Sequence, residues 1–311
     1  MALIEKLDAI GNAIRAKTGK TDKFTLDQMP TEIASIETGG GGITFDDIAT
    51  KAIEGDVVLR AVAIGSYTFH GCSKITSLFA PNVTSVGTYA FYGTGLTGAL
   101  DLSLCTSIGA YAFCQCTNIT SLSIPNVTSV GANAFQYCNK LTALDAPNLT
   151  TLGSYAFSGN NTYKMAFKSI NLPKCTAIPA STLGYCVNLT KLVLPECESI
   201  GNSSFTNCNN LEFVDLPKCT SIANYGLRNN AKLGTLILRS ETMCTLSNYA
   251  LNSTKIFNGT GYVYVPRALI ESYQTATNWK TVYGKNANAF RALEDYTVDG
   301  TLTGALDESK I

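Results

Sequence analysis

The phrase Val86-Gly-Thr-Tyr-Ala-Phe91 returns as Ile108-Gly-Ala-Tyr-Ala-Phe113, Val130-Gly-Ala-Asn-Ala-Phe135 and Leu152-Gly-Ser-Tyr-Ala-Phe157. The closing residue of the phrase marks one unit each time, at Phe69, Phe91, Phe113, Phe135, Phe157, Leu183, Phe205, Leu227 and Leu251. The spacing is 22 residues, apart from four inserted around Asn160–Ala166, two around Glu241–Cys244 and a degenerate last unit. No other feature constrains the fold as strongly. A 22-residue unit cannot bury its own apolar groups, whereas identical coils stacked on one another bury each row against its copy.

The unit Phe113–Phe135 shows how. Its apolar positions are Ile119, Leu122, Ile124, Val127, Val130, Ala134 and Phe135. Leu122-Ser-Ile124 alternates as a short strand with one buried face does. Pro125 ends the strand because it lacks the N–H that a ladder needs. Val127 and Val130 point inward along a second short extended side, Gly131 is expected to turn the chain, and Ala134-Phe135 opens a tight helical corner.

Cysteine placement agrees with stacking. Cys72, Cys116, Cys138, Cys186 and Cys208 sit three residues after the marker; Cys105, Cys197, Cys219 and, allowing for the insertion, Cys175 sit fourteen after it. Only Cys114 and Cys244 fall outside the two rows. An odd total of 11 without a knuckle-like C-x-x-C pattern predicts packing thiols, with no disulfide framework, metal or cofactor.

Charge excludes further classes. Twenty-three basic side chains balance 23 acidic ones, which predicts neither a nucleic-acid partner nor a polybasic membrane patch. No apolar run reaches the roughly 20 residues of a membrane helix. Met1–Asp8 shows no basic stretch followed by an apolar one, which predicts synthesis in the cytoplasm without a secretory signal. N-x-[ST] triplets such as Asn126-Val-Thr128 are products of the repeat.

The string Ile119–Cys138, of the form L-x-x-L-x-L-P-N-V-T-S-V-G-x-x-A-F-x-x-C, resembles the BspA-type (Treponema-type) leucine-rich repeat, over about residues 57–266. The resemblance implies a right-handed, gently curved β-solenoid with a row of short parallel strands and tight corners. Nine coils at about 4.8 Å each make a body of about 43 Å. It also implies a binding scaffold more readily than an enzyme.

The ends differ. Leu3, Ile4, Leu7, Ile10 and Ile14 follow helical spacing, and Thr25 with Gln28 forms a capping box opening a second segment through Thr31–Ile36. Residues 1–38 thus read as a small helical attachment module, with Leu3, Leu7, Ile10 and Ile14 as its docking face. A Gly-rich hinge and lead-in (39–56), the solenoid (57–261), an α/β cap (262–295) and a polar tail (296–311) follow. Pro266 suits the first position of a helix through Gln274, and Trp279 is expected in the core of the cap.

The stretch Ile10–Ile36, with I-R-x-K-T-G and then T-x-x-Q-M-P, is similar to the N-terminal segment of tail and tail-fibre proteins of phages and prophages of Gram-positive bacteria. That implies a virion component that docks on the tail or baseplate and presents its solenoid to a host surface protein or glycan. Such fibres are often homotrimers, although Ala2–Ile36 holds no long heptad run. The alternative is a bacterial cell-surface adhesin of the same repeat family.

Two rows are candidate binding surfaces. Outward strand positions read Ser77 and Phe79, Asp101, Ser121 and Ser123, Asp145, Ser169 and Asn171, Lys191 and Val193, Phe213 and Asp215, Thr235 and Ile237, and Tyr262 and Tyr264. This is the least repetitive part of each unit. The second row, two residues before the marker, holds Tyr67, Tyr89, Tyr111, Tyr155, Tyr225 and Tyr249, rings that give large contact area at low entropy cost. No catalytic residue is expected. The single histidine, His70, has no nucleophile and orienting acid in any recognisable arrangement. A glycan hydrolase is the remaining alternative: Asp101 and Asp145, two coils and so about 10 Å apart, approach an inverting carboxylate pair, and Asp215 occupies the same row.

Overall fold

In a computed structural model of the chain, residues 36–38, 54–59, 61–295, 297–298 and 301–302 are described. The expected docking residues Leu3, Leu7, Ile10 and Ile14 and the glycine run at 39–42 lie outside them.

The chain is a parallel β-solenoid of about nine turns with short helices at its C-terminal end. One side of each coil is a strand of the longer row, which runs from Glu54–Leu59 (β2) through Lys74–Phe79, Thr97–Asp101 and Asn118–Ser123 to Thr235–Ile237 and Tyr262–Val265. The second side is a two-residue strand such as Ser85–Val86, Ser107–Ile108 or Ser129–Val130. Equivalent residues face one another, Ser85 opposite Ser107 and Ser107 opposite Ser129, so the repeat period and the strand register are the same fact.

At the N-terminal edge, Ile36–Thr38 (β1) pairs antiparallel with β2, Ile36 opposite Leu59. These residues form a strand, where the sequence pattern suggested the end of a helix. The β-branched Ile36 and Thr38 suit an extended chain, and the open edge of the first coil offers unpaired backbone groups.

The core is a set of ladders. Phe69, Phe91, Phe113, Phe135 and Phe157 are fully buried and stacked at 5.1–5.2 Å between ring centroids. Each tight corner around them is a run of i→i−3 turns, closed in one coil by Ala90 N–H to the Gly87 carbonyl, Tyr92 N–H to Tyr89 and Thr94 N–H to Phe91. The chain reverses through left-handed residues two before and two after the marker, for example Tyr89 (φ 56°) and Gly93 (φ 65°).

Gly131 therefore does not turn the chain as expected. That is done by Asn133, two residues later, at φ 58°. Gly87, Gly109, Gly131 and Gly153 instead permit close approach of coils: a Cβ on Gly131 would lie 2.5 Å from the Ala110 nitrogen, and one on Gly153 2.2 Å from the Ala132 nitrogen. Gly153→Ala should force two backbones apart and cost about 1–3 kcal/mol, read as a lower urea midpoint. An unchanged midpoint would show that the coils have slack.

All 11 cysteines are buried free thiols. In the first row Cys116 Sγ donates to Phe91 O (3.1 Å), Cys138 Sγ to Phe113 O (3.2 Å), and Cys186 and Cys208 Sγ to Leu183 O. In three coils without cysteine another small donor fills the slot, Thr94 on Phe91 O, Asn230 on Phe205 and Leu227, and Thr254 on Leu251. The slot selects a compact donor because a buried carbonyl left unpaired is costly. Burial pushes up the Cys114 and Cys197 thiols to about 12 and those of Cys116 and Cys175 to about 11, so these four are protonated at neutral pH and poor nucleophiles or metal ligands.

The N-x-[ST] triplets also bind coil to coil. Asn126 Nδ2 donates to Ser103 O and Asn148 Nδ2 to Pro125 O, while the Thr128 and Thr150 hydroxyls each donate to the equivalent carbonyl one coil back.

The last coil is closed by a cap. After Tyr262–Val265, Pro266 precedes a 3₁₀ turn at Arg267–Leu269, then α1 (Ile270–Thr275) and α2 (Trp279–Lys285). Phe290–Ala292 returns to add a parallel strand beside Tyr262–Val265. Trp279 is fully buried against Tyr273 and Phe290 and donates its indole N–H to Cys244 O at 2.7 Å.

Candidate functional site

The strand face divides into an open and a covered part. Phe79 (62% exposed), Asp101, Ser121, Ser123, Asp145, Ser169, Asn171, Lys191 and Val193 stand in solvent, while Ser77 is half-buried. Phe213, Asp215, Thr235, Ile237 and Tyr264, expected outward, are buried. The reason is tertiary. The 3₁₀ turn Leu293–Asp295 brings Leu293 onto Phe213, Ile237 and Tyr264, with half-buried Tyr262 beside them. Arg291 lies over the Tyr262 ring at 3.5 Å, and Lys191 stands 5.2 Å over Phe213 at the boundary. Phe213, Asp215 and Tyr264 are thus corrected from candidate ligand contacts to parts of a small second core.

The acids of this face are held by local partners. Arg239 binds Asp215 with two hydrogen bonds, Nη2 to Oδ2 at 2.6 Å and Nε to Oδ1 at 3.2 Å. Asp101 accepts from the Ser103 N–H, and Asp145 accepts from Asn171 Nδ2 at 2.8 Å. Among the described residues, no group of three or more His, Cys, Asp and Glu side chains could hold a metal ion, and no helix is long and apolar enough to cross a membrane.

The tyrosine row is a different kind of surface. Tyr67, Tyr89, Tyr111, Tyr155, Tyr225 and Tyr249 all occupy the left-handed region, at φ 56–63°. Tyr67 stacks on Tyr89 (5.0 Å, 13°) and Tyr89 on Tyr111 (4.5 Å, 3°). Tyr225 stacks on Tyr249 (5.6 Å, 10°). Tyr155, between Asn133 and Ser181 in the row, has no stacked ring among the described residues and is 43% exposed.

The structure adds residues that the sequence reading passed over. The position one after the marker, three beyond each tyrosine, packs beside the row: His70 stacks on Tyr92 (5.0 Å, 10°), both lie within 6 Å of Tyr89, and Arg228 covers Tyr225 at 4.9 Å. Cys114, outside the two cysteine rows, belongs here and is buried behind the rings. The signal was available as the fixed offset of His70, Tyr92, Cys114 and Arg228 from the markers. Burial, then the neighbouring Tyr111, Tyr67 and Tyr92, raise Tyr89; burial, then Cys114, raise Tyr92, so these phenols remain donors at neutral pH.

The family model for the BspA type leucine-rich repeat region matches in six copies, over residues 57–164 and 176–260. The chain belongs to this family. The gap between the two matched stretches, residues 165–175, lies within the Phe157–Leu183 coil, which carries four extra residues. No curated protein matches the chain. Among solved structures, a leucine-rich cell-surface protein from Faecalibacterium prausnitzii is similar at 19% identity and a TM-score of 0.43, covering 63% of this chain and 62% of that one. A leucine-rich repeat protein from Eubacterium ventriosum is similar at 19% identity and a TM-score of 0.43, covering 62% and 58%. The pneumococcal vaccine antigen PcpA follows at 16% identity and a TM-score of 0.39, covering 68% and 61%. The chain thus spans less than two thirds of the length of each.

Proposed function

We propose that this BspA-type solenoid is a recognition protein whose tyrosine corner row contacts a ligand on a bacterial surface. The observation that carries the reading is the choice of tyrosine at six left-handed corners where asparagine or serine serves in the other three. A non-glycine residue in that region costs about 1–2 kcal/mol. Stacking returns about 0.5–1.5 kcal/mol per ring pair. Stability alone therefore does not favour these rings, least of all Tyr155, which has no stacking partner to offset its strain. What they provide is a rigid edge of phenol hydroxyls and ring margins spaced about 5 Å apart, as the coils are. Tyr89 has both ring faces stacked and Tyr67, Tyr111, Tyr225 and Tyr249 have one, so the exposed chemistry is mainly hydrogen bonding and edge contact, suited to an extended protein or polymer surface.

The resemblance of the N-terminal segment to tail proteins supports a setting for this surface. The chain is a phage tail-tip or tail-fibre protein located in the virion, with Leu3, Leu7, Ile10 and Ile14 docking on the tail or baseplate, in a homotrimer if it forms a fibre. Its receptor is a host surface protein or glycan. The adhesin alternative uses the same row and differs in what holds the N-terminus.

The test is adsorption of the labelled purified chain to Gram-positive cells. The triple variant Tyr67→Gly, Tyr89→Gly and Tyr111→Gly relieves three left-handed strains, so its melting temperature should stay near that of the parent, while adsorption should fall about tenfold or more. Full adsorption by a folded triple variant would move recognition to the open strand face around Phe79, Asp145 and Lys191. Antibody labelling of phage particles distinguishes a virion component from an adhesin.

A further inference from the structure

The tyrosine row ends differently from how it runs. Tyr249 stacks one face on Tyr225, and no further coil continues the row beyond it. The ring is 56% exposed and forms part of the wall of a cleft between the last coil and α2, with a volume of about 280 Å³. The rest of the wall is uncharged: Ser247, Asn248 and Asn252 from the coil, Asn278 and Thr281 from the cap, and Phe257. Asn278 is held at φ 68° at the start of α2, and its amide donates to Leu246 O at 2.6 Å, which fixes the cap against the coil at the rim of the cleft.

We infer that this cleft is a binding subsite for one neutral pyranose ring, seated on the free face of Tyr249. The electron-rich face of an aromatic ring attracts the weakly positive C–H groups of a sugar's apolar face, and its hydroxyl rim needs paired donors and acceptors. Amides and hydroxyls from both walls supply those pairs. The lack of any acidic or basic wall residue matches an uncharged ligand. The volume falls just below the roughly 300–1,000 Å³ of sites for drug-sized ligands, which suits a single ring. Of the other rings, Tyr89 is stacked on both faces by Tyr67 and Tyr111, whereas Tyr249 is the tyrosine of the row that lines this cleft. The subsite stands independently of the corner-row reading, since it rests on Tyr249 and the cap.

Trp279 is buried away from the cleft, so binding would be read by isothermal titration calorimetry. The full chain would be titrated with methyl glucoside, galactose, N-acetylglucosamine and rhamnose. At least one should give a saturable change with a Kd of about 1–10 mM, typical of a single weakly held ring. Tyr249→Ala should weaken that binding about tenfold or more and Tyr249→Phe should retain it. Tyr249→Gly, which relieves the left-handed strain, keeps the test valid if the alanine variant folds poorly. The Tyr67, Tyr89 and Tyr111 triple variant should bind the sugar normally even if it no longer adsorbs to cells. Absence of saturation with all four sugars, or equal affinity in folded Tyr249→Ala or Tyr249→Gly, would overturn the inference.

Discussion

Replacing Phe135 by alanine should lower stability by about 3–5 kcal/mol, the range for emptying a fully buried aromatic site. Phe135 is the fourth ring of the phenylalanine ladder, 5.2 Å from both Phe113 and Phe157, and has no exposed surface. The consequence exceeds that of a cavity in a globular core. In a solenoid each coil contacts only its neighbours, so stability is a sum of coil and interface contributions. A gap in the middle weakens two interfaces together, and the coils on either side lose part of their coupling. Urea unfolding followed by circular dichroism should shift to a lower midpoint and broaden, with a reduced apparent slope. The same change at Phe69, which stacks on one ring among the described residues, should lower the midpoint while leaving the slope closer to that of the parent. A loss below about 1 kcal/mol at Phe135 would show that neighbouring coils close the gap, contrary to the rigid spacing implied by the glycine row.

Trp279→Ala should be comparably damaging, at about 3–5 kcal/mol, but confined to one end. The indole fills the cap between Tyr273 and Phe290, and its N–H satisfies the Cys244 carbonyl. The same Cys244 also donates its backbone N–H to the Tyr273 hydroxyl at 2.8 Å. Cap and last coil are thus joined at a single residue by two buried hydrogen bonds. Trp279→Phe separates the contributions, since it keeps most of the apolar volume and leaves the carbonyl unpaired, at a cost of about 1–3 kcal/mol. Amide hydrogen exchange should show the loss first in residues 233–265 and leave the coils around Phe113 protected. Uniform loss of protection along the chain would mean that the cap controls the whole solenoid.

The tests above also show where the sequence is legible. The phenylalanine markers, the cysteine rows and the apolar strand positions could all be read in advance. Each is imposed by contact with an identical coil one period away, so the same requirement reappears at the same offset. The glycine row was visible but misread. Its period indicated a constraint, whereas only the 2.2–2.7 Å approaches of an added Cβ to the preceding coil show that the constraint is spacing and not a turn. The tyrosine row was visible as a list of rings, and its partners His70, Tyr92 and Arg228 stand at a fixed offset from it, but its left-handed backbone was not legible, because a backbone angle leaves no periodic apolar signature.

Contacts made once are where reading by period stops. Leu293 meets Phe213 and Tyr264 across about 80 and 30 residues of chain, with no second copy to announce the pairing. That one turn of chain converts the C-terminal part of an apparently open strand face into core and leaves the part from Phe79 to Val193 available. The cleft at Tyr249 is likewise made by the meeting of the last coil with α2. The 22-residue period alone determined that the chain stacks into a solenoid, because a unit that short has no other way to bury its apolar residues. Which parts of that solenoid stay exposed, and where the tyrosine row leaves a ring face free, was decided by the tertiary structure, since both depend on how a non-repeating end folds back on a repeating body.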